Sequence, residues 1–221
     1  VFKKLLSSIP ETGLVLATSG KTSASIDQAL AETKARILRY GTDQKTDYRY
    51  DQPSLSAKGM SFNIYRDEEQ HRVNSPLIHA YMAENITGSF ALAREMNIEA
   101  QVILDAIFSF KGLKRRMEKR HEGKVTLIDD IAHSPVKVRS VLENLKHIYK
   151  GKIHAVFEPN TGSRMPSMAD SYDGAFGDAD TVIIPRLSIL KKNKESAEEA
   201  LDASDLAQVI CKTHTNVLVL E

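Results

Sequence analysis

Two periodicities of apolar and polar positions divide the chain. VFKKLLSSI reads as a short helix, Leu14–Leu16 as a strand, Asp27–Ala35 as a helix and ARILRYG as a strand. TDYRYDQ and GMSFNIYRD then alternate with period two, which predicts antiparallel pairing. Helical spacing returns around Glu84–Met96 and Ala100–Phe108. The charged run KGLKRRMEKRHEGK, Lys111–Lys124, has no such period and reads as a solvated linker. Beyond it, short apolar strands alternate with amphipathic helices. Strand VTLID precedes a helix from Val136 to Tyr149 that puts Val138, Val141, Leu142, Leu145 and Ile148 on one face. Strand IHAVF, a helix Met165–Ala175, strand TVIIP, a helix Ser204–Lys212 and strand NVLVL follow. This alternation predicts an α/β domain with a mainly parallel sheet covered on both faces. Ser134-Pro135 suits a helix start, since serine can cap the first amides and proline tolerates the first helical position.

Composition narrows the class without deciding it. The 221 residues are 42% hydrophobic and 27% charged with a formal net charge of +1, so neither nucleic acid nor an acidic membrane is an expected partner. No apolar run approaches the ~20 residues that cross a bilayer. One cysteine, Cys211, excludes an intrachain disulfide, fits a cytoplasmic setting and is expected as a small buried hydrophobe on its helix. His71, His79, His121, His147, His154 and His214 lack metal-ligand spacing and read as surface or packing residues. Phe108 and Phe110 read as core or hinge packing.

Two stretches invite a nucleotide. LVLATSGKTSAS, residues 14 to 25, has the strand, turn and helix of a phosphate-binding loop, with Lys21 for phosphates and Thr22 for magnesium. The strict pattern G-x-x-x-x-G-K-T fails, because Val15 stands at its first glycine. LIDDIAHSP, residues 127 to 135, ends a strand in two carboxylates and places His133 before a helix N-terminus. Ligands of α/β sheets bind at the carboxyl ends of strands, where Asp130 could accept ribose hydroxyls and His133 could face phosphate. A turn capped by Asp129 or Asp130, with His133 as a satisfied loop residue, explains the same residues.

D-D-x-A-H-x-P followed by an amphipathic helix resembles the start of the C-terminal domain of the Mur ligases, ATP-dependent amide-forming enzymes of peptidoglycan synthesis; folylpolyglutamate synthases share a related form. FKGLKRRMEKR, AENITGSFALA, IPETGLVLATSGK with ARILRYGTD, and VFEPNTGSR resemble further family motifs in the right order. Within the family the chain looks like the UDP-N-acetylmuramate-dependent branch. AHSP and VFEP lean toward the murein-recycling tripeptide ligase rather than the alanine-adding one.

The resemblance implies a partial central ATP-binding domain over residues 1–112, a hinge over 113–124 and a truncated, Rossmann-like amine-substrate domain over 125–221. It makes SGKT a coincidence and places the true phosphate loop and the magnesium ligands outside this chain, so that the chain alone is expected to be inactive. Asn85 would contact adenine, Arg116 would approach the nucleotide and Asp130 would bind ribose. His133 would lie by the phosphates, and Ser163 with Arg164 would position the incoming amine's carboxylate; His133 and Arg164 are the candidates for catalytic roles. ATP and magnesium are the implied cofactors. A UDP-muramyl substrate and an amino acid, or the peptide L-Ala-γ-D-Glu-meso-diaminopimelate, are the implied partners. Glu84 replaces the histidine and Gly88 the second asparagine of the family's H-N-x-x-N motif, and Asn160-Thr161-Gly162 replaces a longer or more basic stretch. An independent phosphate-loop protein and a non-catalytic α/β interaction module are the competing classes.

Overall fold

The computed structural model describes residues 2–19, 24–187 and 200–220. Lys21 and Thr22 lie outside the described residues. The chain forms two compact units, 1–112 and 113–221.

The first unit runs α1 (Phe2–Ser7), β1 (Leu14–Thr18), α2 (Ala24–Ala31), β2 (Arg36–Gly41), β3 (Tyr48–Tyr50), β4 (Ser54–Ser56), β5 (Gly59–Arg66), β6 (Glu69–Ser75), α3 (Met82–Glu95) and α4 (Ala100–Ser109). Its sheet is ordered β1-β2-β3-β5-β4, with β6 also on β5. Neighbours are parallel from β1 to β3 and antiparallel beyond, as the change of period predicts. Leu38, Phe62, Ile64 and Val73 meet Ala83, Phe90 and Ile103 of α3 and α4 in one core. Ala17 packs with Leu6, Ala29 and Leu30 in another. α2 stops earlier than its apolar pattern suggests, and Thr33 instead gives its hydroxyl to the carbonyl of Leu6. The reversal into β5 requires glycine: Gly59 has φ +137°, and a side chain there would collide with the backbone of Ser75. Phe108 and Phe110 are exposed rather than packed, while α4 buries Ile103.

The second unit runs β7 (Glu118–His121), β8 (Leu127–Asp129), α5 (Pro135–Ile148), β9 (His154–Val156), 3-10 turns at Gly162–Arg164 and Pro166–Tyr172, β10 (Thr181–Ile184), α6 (Ala203–Cys211) and β11 (Val217–Val219). β11, β10 and β9 form a parallel sheet in that order.

Several expectations change here. Part of the charged run is strand β7, which pairs antiparallel with β8 instead of forming a linker. β8 therefore lies outside the hydrogen-bonded parallel sheet. The sheet is covered on one face among the described residues: Val182 and Ile184 pack with Val138 and Leu142 of α5 and Leu206 and Ile210 of α6. On the other face Val156 is 68% exposed. Both helices lie there because one set of alternating strand positions, Ala155, Val182, Ile184 and Val217, carries the side chains that they bury. Finally, the helix expected over Met165–Ala175 is a set of short turns closed by bonds such as Met168 N to Met165 O, 2.8 Å, around buried Tyr172 and Phe176. Cys211 is exposed, since α6 spends its inward face on Leu206 and Ile210.

Candidate active site

The turn after β8 is built by one carboxylate. Asp130 accepts the amide of Ala132 on Oδ1 at 2.7 Å, closing a tight turn, and the amide of Met117 on Oδ2 at 2.8 Å. The amide of Ile131 reaches back to the carbonyl of Arg115 at 2.8 Å. These bonds pin residues 115–117 beside the Asp130 turn and hold Arg115 and Met117 at φ 56° and 50°. Arg116 sits exposed between them. Arg115 also approaches Asp129 at 3.9 Å, a half-exposed ion pair that contributes little. Asp130 is thus a turn builder in this geometry, and any ribose hydroxyl would share oxygens already engaged.

His133 follows. Its Nδ1 lies 2.7 Å from the carbonyl of Ile131, which requires a proton on Nδ1 and leaves Nε2 as the acceptor. Lys137 Nζ stands 3.3 Å from that Nε2. Ser134 is the N-cap of α5 with Pro135 at its first position, but the serine side chain makes no capping bond. Lys137 escaped the motif reading; its signal is the i, i+4 spacing from His133 across a helix start, since side chains lean toward the N-terminus.

A second turn joins this one. The amide of Asn160 donates to the carbonyl of His133 at 3.3 Å, and Asn160 Oδ1 accepts the amide of Ser163 at 2.9 Å. Ser163 and Arg164 are buried, Arg164 only 6% exposed. Arg164 Nε donates to the carbonyl of Leu201 at 2.9 Å, and the amide of Leu201 returns a bond to the Arg164 carbonyl at 2.8 Å. Tyr172 OH donates to the carbonyl of Ser163 at 2.7 Å. Burial pushes the Tyr172 phenol up to about 12, against the opposing pull of the Arg164 cation.

That phenol gives a direct test. Tyrosine in the unfolded chain ionises near 10.0, so the folded unit keeps a proton that the unfolded chain loses. The stabilisation is complete below that pH and disappears as pH rises toward 12. Absorbance at high pH should show one tyrosine titrating last, absent in Tyr172→Phe; identical titrations in both proteins would contradict the buried bond.

Asp130, His133, Ser163 and Arg164 therefore belong to one chain of contacts, with the segment carrying Arg116 hooked to it. Asn85 belongs to the first unit, exposed on the first turn of α3 with Nδ2 3.4 Å from Met82 Sδ. The two departures near it have local partners: Thr18 gives its hydroxyl to Glu84, and the Tyr40 ring lies where a side chain on Gly88 would be, 2.9 Å from its ideal Cβ. Among the described residues no group of three His, Cys, Asp or Glu could hold a metal ion, and no helix is long and apolar enough to cross a membrane.

Residues 115–219, which contain the whole chain of contacts, match the family model described as Mur ligase, glutamate ligase domain. This part of the chain belongs to the Mur ligase family. A similar curated protein is the UDP-N-acetylmuramate--L-alanine ligase of Anaeromyxobacter dehalogenans (strain 2CP-C), 30% identical over 186 residues, covering 83% of this chain and 40% of the relative. The fold is shared with MurF from Acinetobacter baumannii (TM-score 0.75, 14% identity, 99% of this chain and 45% of that one). It is shared too with UDP-N-acetylmuramate-alanine ligase MurC from Thermotoga maritima (TM-score 0.71, 18% identity, 94% and 43%). The chain spans about 40% of the length of that curated Mur ligase relative. Both units are included in these structural matches, which accords with a Mur ligase fold of mixed α/β sheets.

Proposed function

We propose that this chain is part of an ATP-dependent amide ligase of peptidoglycan synthesis or recycling, acting in the cytoplasm. The observation that carries the reading is the family match over residues that fold into the Asp130–His133 turn and its Asn160–Arg164 neighbour. The reaction joins the carboxylate of a UDP-N-acetylmuramyl substrate to the amine of alanine or of a muropeptide through an acyl phosphate. Such catalysis relies on positioning and on offsetting crowded negative charge.

In this reading Asn85 and Arg116 serve the nucleotide, and Asp130 shapes the turn that receives its ribose. Lys137, held beside His133 by its Nε2, offers a cationic group to phosphate, and the turn holding Ser163 and Arg164 serves the amine. Magnesium, when bound with the nucleotide, would supply charge neutralisation at the phosphates.

Two measurements test this. In the complete enzyme, ADP release should require both UDP-N-acetylmuramate and an amine; comparing L-alanine with L-Ala-γ-D-Glu-meso-diaminopimelate decides which is added. ADP release indifferent to both would refute the ligase reading. Lys137 is exposed, so Lys137→Ala should fold normally. By calorimetry it should weaken ATP about tenfold, the loss of one charge-assisted bond, and leave adenosine unchanged. Equal ATP affinity would remove Lys137 from the phosphate side.

A further inference from the structure

Resting on the phosphate role proposed for Lys137, we infer that His133 is a positioning residue. It holds the Lys137 ammonium for the nucleotide's phosphates and does not touch them itself. The imidazole has a fixed tautomer: Nδ1 donates to the carbonyl of Ile131 at 2.7 Å, which leaves Nε2 with a lone pair and no proton. A phosphate oxygen needs a donor, and this nitrogen offers none. An ammonium is what such a lone pair accepts, and Lys137 Nζ stands 3.3 Å away.

The two residues differ in freedom. His133 is half-buried, and its backbone carbonyl takes the amide of Asn160 at 3.3 Å. The turn before it is closed by Asp130 through the amide of Ala132, and the amide of Ile131 is tied to Arg115 O. Lys137 is exposed on the first turn of α5. An exposed lysine gives up rotamer freedom when a ligand fixes it, and a bond to a rigid imidazole removes part of that freedom beforehand. An ammonium has three donors, so one spent on Nε2 leaves two for oxygen.

Asparagine and glutamine divide the work of the two ring nitrogens. In His133→Asn the short amide can still donate to Ile131 O, but nothing reaches Lys137. In His133→Gln the longer side chain carries an acceptor out to about the place of Nε2. By calorimetry on the complete enzyme, His133→Asn should weaken ATP about three- to tenfold, through the freedom returned to the lysine. His133→Gln should recover most of that loss. In a Lys137→Ala background, His133→Asn should cost ATP nothing further. A full additional loss there would overturn the inference, because His133 would then meet phosphate directly. So would unchanged ATP binding in His133→Asn, or a glutamine variant as weak as the asparagine one, since either makes the acceptor idle. Should His133→Asn fold poorly, His133→Ser, which also falls short of Lys137, takes its place in the same cycle. Equal ATP affinity in Lys137→Ala alone would strike the phosphate role first and this inference with it. Failure of the ligase reading shows separately, as ADP release indifferent to both substrates.

Discussion

Asp130→Asn should destabilise the second unit by about 1–3 kcal/mol, the cost of leaving a buried donor unsatisfied. Ordinarily asparagine replaces aspartate in a turn at small cost. Here both carboxylate oxygens accept backbone amides, one from Ala132 and one from Met117, whose residue is buried. Asparagine has one oxygen; its NH2 would face an N–H group across 2.7–2.8 Å, donor against donor. The segment carrying Arg116 should loosen as a result, so under the proposed function the ATP dependence of the complete enzyme should shift with stability. Denaturant unfolding of the 113–221 unit in its parent chain measures the first effect, and the KM for ATP the second. If unfolding is unchanged, the Met117 bond is absent in solution. If unfolding shifts while the KM for ATP stays put, Asp130 builds the turn and plays no part in holding the nucleotide.

Phe90→Ala should cost the first unit about 3–5 kcal/mol, the usual loss for a fully buried aromatic ring. Phe90 has 0% exposure, meets Tyr48 edge-on at 6.4 Å between ring centres and lies 5.1 Å from the His71 ring. It also anchors α3 between the sheet and α4, and α3 carries Glu84 and Asn85. Stability and any adenine-dependent binding should therefore fall together. Calorimetric melting of Phe90→Ala beside Phe90→Leu checks it, since leucine should recover much of the loss; a melting point unmoved by alanine would contradict the packing.

The sequence made the elements legible where a single period dominated. GMSFNIYRD and PVKVRSVLENLKHI became β5 and α5 because their patterns leave one face to bury whatever the partner. The family motifs located the Asp130 and Arg164 turns for a similar reason, since residue types survive in a pattern even when their contacts are unknown.

Contacts were a different matter. Nothing in DDIAHSP states that the second oxygen of Asp130 reaches Met117, thirteen residues back, or that Lys137 leans onto His133. Nor does GSR state that Arg164 is buried and exchanges bonds with Leu201, far along the chain. Cys211 and Phe108 were misread for a related reason: helical spacing defines a stripe, while the neighbours that cover it decide which edge of the stripe is dry.

By itself, then, the sequence determined the periodic elements, the mixed α/β class and the family of residues 115–219, because hydrophobic period and motif spacing are local properties. Tertiary structure alone decided that β8 pairs with β7, that α5 and α6 share one face of the sheet, and that Asp130 and Arg164 are each engaged by backbone. Those outcomes depend on packing and on hydrogen bonds between distant segments, and neither leaves a mark in local composition.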